Sequence, residues 1–140
     1  MALDDDVREM AQLPIFQELE PEALRLIAFS AETRILRMGD VLFTKGETSD
    51  GGFVVLSGSF AVESGSSLGA EVVQAHSLIG EMALLTATER PATMVAREPS
   101  TVLVIRRAIF HRVLKEYPQS ALRMRGSIES RLSNFSAGIK

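Results

Sequence analysis

Residues 79–93 read IGEMALLTATERPAT, and this stretch is more informative than any other part of the chain. Gly80 permits backbone conformations that other residues resist, and it lets a ligand approach the chain closely. Met82 to Leu85 are predicted to form one helical turn, whose first amides have no acceptor within the helix. Arg90 is held extended by the proline that follows it. The stretch therefore predicts a binding site for an anion.

Two charged side chains of this stretch are the candidate ligand-binding groups. The guanidinium of Arg90 presents a planar fork of donors that matches two phosphate oxygens, which a lysine ammonium does not. Glu81 can accept hydrogen bonds from a hydroxyl group of the same ligand. A phosphate and a hydroxyl at a fixed separation describe a ribose cyclic phosphate, so the two residues favour a nucleotide ligand.

Short β-type runs, separated by turn residues, lie on both sides of this stretch. The turns are predicted at Gly39-Asp40, Gly46-Glu47, Asp50-Gly51-Gly52, Gly58, Ser64-Gly65-Ser66-Ser67, Gly69 and Gly80. Between and after them, strands are predicted at Thr33–Leu36, Val41–Thr44, Phe53–Leu56, Phe60–Glu63, Val72–Ala75, Thr93–Ala96 and Thr101–Ile105. Many short strands with glycine-rich turns are typical of a sandwich or barrel.

Helical periodicity replaces the strand pattern at both ends of the chain. Two helices are predicted before the strands, and the second begins at Pro21, since proline suits the first turn of a helix. One helix is predicted after Arg106, and Tyr117-Pro118 separates it from a last helix. The apolar stripe of that last helix consists of Ala121, Met124, Ile128, Leu132, Phe135 and Ile139.

The predicted fold class is α+β, mainly β, in a single domain over residues 1–140. An N-terminal helical element covers residues 1–30, and a jelly-roll-like β-roll with one short internal helix covers residues 31–105. Two C-terminal helices cover residues 106–140. The 140 residues are 46% hydrophobic, which allows one domain with a core of its own and leaves hardly any room for two domains.

Composition excludes several classes of function. The chain has no cysteine, which excludes disulfides, thiolate chemistry and cysteine-built metal sites, and suits a reducing cytoplasm. The formal net charge of −3 argues against a surface that binds nucleic acid. No apolar run approaches the roughly 20 residues that span a bilayer, and the first residues lack the pattern of a secretory leader. We therefore expect a cytoplasmic protein without a membrane or nucleic-acid partner.

Gly80-Glu81-Met82-Ala83-Leu84, followed by Arg90-Pro91-Ala92-Thr93, resembles the phosphate-binding cassette of cyclic nucleotide-binding domains. These domains occur in regulatory subunits of cAMP-dependent protein kinase, in cyclic nucleotide-gated channels and in the catabolite activator family. Weaker matches at Gly39-Asp40-Val41-Leu42 and Phe53-Val54-Val55-Leu56-Ser57-Gly58-Ser59 come in the family order, so the resemblance extends over nearly the whole chain. It implies the β-roll fold of this family and a cyclic nucleotide as ligand.

The resemblance also implies a role for each residue of the cassette. Arg90 is expected to pair with the cyclic phosphate, and Glu81 is expected to bind the ribose 2′-hydroxyl. Backbone amides near Gly80, Met82 and Ala83 are expected to complete the cradle around the phosphate.

The residues after the arginine complete the predicted ligand-binding set. Ala92 and Thr93 are expected to flank the base or the phosphate, and Arg123 and Arg125 are two candidates for capping the base. Pro91 departs from the family, in which Ala, Ser or Thr commonly stands, because proline has no N–H for the phosphate. Loss of one hydrogen bond to a charged group, roughly 1.5–3 kcal/mol, predicts binding weaker by about one or two orders of magnitude. Threonine at this position is associated with cGMP in the family, so Pro91 favours cAMP over cGMP.

Each charged residue also has a simpler interpretation. Arg90 on its own would be a surface arginine paired with Glu89 or Glu98, and Glu81 on its own a solvated carboxylate at the start of a helix. The distance in sequence from Gly80 to Arg90 matches the family and favours the binding role for both.

The expected function is that of a non-enzymatic sensor whose C-terminal helices move when cyclic nucleotide binds. No catalytic residue, metal site or cofactor is expected, because His76 and His111 lie in different elements and no catalytic triad stands out. One alternative is a module that keeps the fold without a ligand and serves protein interaction or dimerisation. A homodimer through the last helix and a sensor portion cut from a longer protein also stay open.

Overall fold

The computed structural model describes residues 2–63 and 71–139 of the chain, with side chains for residues 3–63 and 71–129. The helices are α1 (Ala2–Ala11), α2 (Pro21–Ser30), α3 (Glu81–Leu85), α4 (Arg107–Glu116) and α5 (Pro118–Ile139), with a short 3₁₀ helix at Phe16–Glu18. The strands are β1 (Glu32–Leu36), β2 (Val41–Phe43), β3 (Gly51–Ser57), β4 (Ser59–Glu63), β5 (Glu71–Gln74), β6 (Ser77–Ile79), β7 (Thr93–Ala96) and β8 (Ser100–Arg106).

The described strands form two antiparallel four-stranded sheets. The first sheet has the order β1-β8-β3-β6 and the second has the order β2-β7-β4-β5. Buried side chains from both sheets pack together between them, among them Phe43 and Phe60 of the second sheet and Phe53 and Val102 of the first. The prediction of an α+β, mainly β fold of the jelly-roll type is confirmed.

The outer face of the first sheet carries a second core against the helices. Strand β8 is buried on both faces: Val102 and Val104 point between the sheets, while Leu103 and Ile105 contact the helical layer. This explains its uninterrupted apolar sequence, since a strand covered on both sides has no polar face. Phe110 of α4 is fully buried in the helical layer. Helix α4 is thereby fixed on the sheet that leads into it.

All seven predicted strands are present, and their ends agree within two residues. The turn prediction at Asp50-Gly51-Gly52 is wrong for the two glycines, which begin β3. They are glycines for a steric reason: a Cβ on Gly51 would lie 2.0 Å from the carbonyl oxygen of Ile105 on the neighbouring strand. Strand β6 was not predicted, because its three residues are too few to show a period.

Several sequence predictions fall outside the described part of the chain. The predicted turn at Ser64-Gly65-Ser66-Ser67 and Gly69 is one of them, and so are the side chains of Leu132, Phe135 and Ile139. Over the residues that are described, no helix has both the length and the apolar character needed to cross a bilayer.

The tight turn between β3 and β4 provides a test of this packing. Gly58 has φ +88°, and an added Cβ would lie 2.6 Å from the Cα of Ser100, whereas Gly39 has φ +91° and open space around it. Gly39→Ala should lower the free energy of unfolding by about 1–2 kcal/mol through backbone strain alone. Gly58→Ala should lower it by about a further 1–3 kcal/mol, because Ser100 must shift. Urea denaturation of both variants measures the difference, and equal losses would contradict the close contact.

Candidate functional site

Gly80 sets the start of the cassette helix. Its φ of +81° lies in the left-handed region that glycine adopts without strain, and α3 begins at the next residue, Glu81. The helix therefore begins one residue before the predicted Met82. A Cβ on Gly80 would lie 2.9 Å from Nη1 of Arg90. The missing side chain is thus what allows the arginine to lie against the backbone at the start of α3.

The loop between β2 and β3 holds the backbone of Arg90. The amide of Gly46 donates to the carbonyl of Arg90 at 2.8 Å, and the amide of Arg90 donates to the carbonyl of Glu47, also at 2.8 Å. The amide of Ser49 donates to the carbonyl of Thr88 at 2.7 Å, and the Ser49 Oγ accepts from the amide of Thr88 at 3.1 Å. These four hydrogen bonds fix the position of Arg90, although this residue lies outside any strand.

The side chain of Arg90 is buried, with 5% of its surface exposed. Its Nη2 donates to the carbonyl of Gly51 at 2.8 Å. The guanidinium carbon lies 4.4 Å from the ring centre of Phe43 and 5.4 Å from that of Phe53, within cation–π range. The interpretation of Arg90 as a surface arginine is wrong, and Glu98, one of its supposed partners, instead accepts from the hydroxyl of Ser59 at 2.6 Å.

The charge of Arg90 is poorly compensated. No ion pair within the described residues includes it. Burial lowers the pKa of its guanidinium, while the more distant charges of Asp50 and Glu47 act in the opposite direction. The group nevertheless remains protonated at any physiological pH. A buried cation without an ionic partner costs free energy, and a bound anion would offset that cost.

A cavity of about 410 Å³ opens beside Arg90, a size typical of small-molecule sites. Seven of the eight predicted ligand-binding residues line it: Gly80, Glu81, Met82, Ala83, Arg90, Pro91 and Ala92. Thr93 is not part of the lining, and its Oγ1 accepts a hydrogen bond from the amide of Lys45 at 2.9 Å. The structure brings the cassette together around one space, and the binding role of these residues stays a prediction.

Sequence reasoning missed the apolar wall of this cavity, which consists of Phe43, Val62, Ile79 and Met94. Val62 and Met94 lie opposite each other on neighbouring strands β4 and β7. Alternation along β4 and β7 marks which side chains share a face, but the fold was needed to show which face meets the cassette.

Arg107 links the cassette helix to α4 and was also missed. Its Nη1 donates to the carbonyls of Ala83 at 2.7 Å and Thr86 at 3.2 Å, and its Nη2 donates to the carbonyl of Ser49 at 2.9 Å. Carbonyls at the end of a helix have no N–H donor within it, so the guanidinium of Arg107 caps the C-terminal end of α3. The first residue of α4 is thereby tied to the site.

The two candidates for capping the base lie elsewhere in this structure. Nε of Arg123 donates to the carbonyl of Glu18 at 3.1 Å, so this side chain holds α5 against the N-terminal helical element. Arg125 borders a separate groove between α3, α4 and α5, together with Leu85 and Leu114. Neither arginine lines the cavity beside Arg90.

A family model for the cyclic nucleotide-binding domain matches residues 33–117, which contain the whole cavity lining. The chain belongs to the cyclic nucleotide-binding domain family. Members of this family are regulatory domains, so the chain has the fold of a cyclic nucleotide sensor.

Two solved structures of bacterial proteins are similar to this chain. A cyclic nucleotide-binding-like protein from Brucella abortus is 35% identical, with a TM-score of 0.73 over 80% of this chain and 99% of that one. The N-terminal domain of a transcriptional regulator from Streptomyces coelicolor is 25% identical, with a TM-score of 0.86 over 94% of this chain and 95% of that one.

Two curated relatives are much longer than this chain. A cyclic nucleotide-gated potassium channel from Mesorhizobium japonicum is 30% identical over 112 residues, which are 80% of this chain and 31% of the channel. A lysophospholipase from Neurospora crassa is 29% identical over 84% of this chain, but the match spans only 8% of that enzyme. The cyclic nucleotide-binding domain is thus a small part of both.

Arg90, which is buried, and Arg107, which is half-buried, differ in what they contribute to stability. Replacement of Arg90 by Met removes one hydrogen bond and also one unpaired buried charge, so Arg90→Met should change the free energy of unfolding by less than about 1 kcal/mol. Arg107→Met leaves three carbonyls without their donor and should lower it by about 2 kcal/mol. Urea denaturation without nucleotide tests the pair. A loss for Arg90→Met as large as that for Arg107→Met would show that Arg90 is a structural residue.

Proposed function

We propose that this domain is a non-enzymatic sensor that binds a cyclic nucleotide, cAMP in preference to cGMP, with the phosphate on Arg90. The observation that carries the proposal is the buried guanidinium of Arg90, which has no ionic partner within the described residues and borders a cavity of nucleotide size. One bound phosphodiester supplies the missing negative charge.

The polar end of the cavity suits the ribose phosphate. Nη2 of Arg90 is engaged by the carbonyl of Gly51, while its Nη1 faces the open backbone of Gly80. The amide of Met82 lies in the first turn of α3, where the helix itself provides no acceptor, and can add a hydrogen bond to the phosphate. The carboxylate of Glu81 lines the same end and is assigned to the 2′-hydroxyl.

The apolar end suits the base. Val62 and Met94 offer contact surface with no donor and no strong acceptor in their side chains. Guanine has more hydrogen-bonding groups than adenine, and each one that leaves water without a partner costs free energy. Pro91, beside this space, offers neither an N–H nor a hydroxyl. These features support the preference for cAMP.

The route from the site to the C-terminal helices is proposed to pass through Arg107. A ligand that orders the cassette helix α3 also orders the carbonyls of Ala83 and Thr86, which Arg107 joins to the start of α4. Leu85 of α3 borders a groove beside α5, so movement of α3 changes the surface on which α5 packs. The C-terminal helices would then present the bound state to the rest of a larger protein or to a partner.

No catalytic step is part of this proposal. The cavity lining that the structure describes contains no histidine, and its ionisable side chains are Glu81, Glu89 and Arg90. We further propose that the protein acts in the cytoplasm, which suits its lack of cysteine.

Isothermal titration calorimetry with cAMP and cGMP tests the binding proposal. The wild type should bind cAMP with micromolar affinity or better, and cGMP more weakly. Arg90→Lys keeps the charge but loses the fork, so it should weaken binding at least about tenfold. Arg97→Ala, which changes an exposed arginine outside the cavity, serves as the matched control and should bind like the wild type.

Failure to bind either nucleotide would favour the alternative function, a protein-interaction module. No heat of binding and no thermal shift at millimolar ligand, with protein shown to be free of nucleotide, would indicate a module that keeps the fold for protein interaction. Conversion of cAMP to AMP by the protein, followed by chromatography, would contradict the non-enzymatic assignment.

Hydrogen–deuterium exchange tests the route to the C-terminal helices. Saturating cAMP should slow amide exchange at residues 81–90 and change it at residues 107–129 of the wild type. In Arg107→Met, the slower exchange at residues 81–90 should persist. The change at residues 107–129 should fall to less than about half of that in the wild type, because the side-chain contact from α4 to α3 is lost. Equal changes in both proteins would exclude Arg107 as the link.

A further inference from the structure

Helix α2 carries apolar side chains on two of its faces. The inner face is buried in the core and consists of Ala23, Leu24, Ile27 and Ala28. On the outer side, Phe29 has 75% of its surface exposed and Leu26 has 39%. A helix on the surface of a domain ordinarily has one apolar stripe, so a second, exposed stripe marks a surface that contacts another molecule.

Leu26 and Phe29 line a groove of about 320 Å³ between α1, α2 and the end of α4. The other lining residues are Leu3, Glu22, Arg25 and Tyr117. None of them lines the cavity beside Arg90, so this groove is a separate feature of the molecule. Its position at Tyr117 places it where α4 ends and α5 begins.

The helical element that forms most of this groove is strongly acidic. Residues 1–30 contain seven acidic residues and two arginines, a formal net charge of −5, whereas the whole chain has −3. The other 110 residues therefore carry +2. Both arginines of the helical element are paired within it, Arg25 with Asp4 at 2.9 Å and Arg8 with Asp5. The remaining carboxylates of this element are thus not balanced by its own cations.

Three carboxylates lie near the side chain of Tyr117 at the groove. Partial burial raises the pKa of the Tyr117 hydroxyl, and the charges of Glu22, Glu116 and Glu20 raise it further. The hydroxyl also forms a hydrogen bond with Glu22, which lines the groove. Arg25, the one cation in the described lining, is already engaged in its ion pair. The rim of the groove therefore favours the approach of a cation from outside.

We propose that this groove is a docking site for a cationic amphipathic helix of a partner protein. Apolar side chains of the partner helix pack against Leu26 and Phe29, and its lysine or arginine side chains face Glu22 and Glu116. The inference goes beyond the proposed sensor function and does not depend on nucleotide binding.

The chemistry of the groove selects this class of partner. Apolar side chains of an amphipathic helix recur after three and four residues, the spacing that also places Leu26 and Phe29 on one side of α2. The acidic rim repels nucleic acid and anionic lipid, because both carry the same sign of charge. A cationic helix matches both the apolar lining and the charge of the rim.

Fluorescence anisotropy with synthetic peptides tests the charge of the partner. The probe is a labelled helix of about 18 residues with leucine on one face and lysine on the other, and its counterpart has glutamate in place of lysine. The full chain should bind the lysine peptide with a Kd below about 100 μM and should not bind the glutamate peptide. An increase in NaCl from about 50 mM to about 300 mM should weaken binding of the lysine peptide at least about threefold through screening.

Two pairs of substitutions locate the binding surface. Phe29→Ala removes the exposed aromatic ring of the groove and should weaken binding of the lysine peptide at least about tenfold. The matched control Met38→Ala changes a side chain that is 69% exposed outside the groove, and it should bind like the wild type. Glu22→Gln should weaken binding about threefold at low salt, whereas Glu71→Gln, an exposed position on β5, should have no effect.

Several results would overturn the proposal. If neither peptide binds, or both bind equally well, the groove does not select a cationic helix. If Phe29→Ala and Met38→Ala bind the lysine peptide alike, the peptide occupies another surface. If the wild type sediments as a dimer that Phe29→Ala converts into a monomer, a second copy of this chain covers the groove instead of a partner helix. None of these results bears on nucleotide binding, which calorimetry measures separately.

Discussion

The buried guanidinium of Arg90 is the constraint on which the rest of this structure depends. It lies against two phenylalanine rings with one hydrogen bond to Gly51, and within the described residues it has no carboxylate partner. Burial of an unpaired charge lowers stability unless a ligand compensates it. Under the proposed function, the phosphate of a bound nucleotide supplies that compensation in the cavity beside the guanidinium.

The surrounding elements have the task of holding this cation in place. Gly80 leaves room for it, the loop at residues 46–49 pairs with its backbone, and the two sheets supply the aromatic rings beneath it. The guanidinium of Arg107 has a different role, because it donates to the carbonyls of Ala83 and Ser49 and joins α3 to α4. In the proposed function, Arg90 is available to the ligand, and Arg107 connects the site to the C-terminal helices.

The sequence predicted the fold class and the cassette because both depend on local chemistry. Glycine-rich turns, short apolar runs and the spacing from Gly80 to Arg90 are properties of neighbouring residues. The wall formed by Val62 and Met94 could not be predicted, since it depends on how distant strands pair and which face they turn inward. The glycines that begin β3 were mistaken for a turn for the same reason: the close approach that requires Gly51 comes from β8, far along the chain.

A crystal structure of the protein with cAMP tests the central claim most directly, because it shows where the phosphate lies. The account predicts a phosphate oxygen within about 3 Å of the Arg90 guanidinium, with the adenine against the apolar wall of the same cavity. A complex in which the phosphate is bound elsewhere, and Arg90 still contacts only the carbonyl of Gly51, would contradict it.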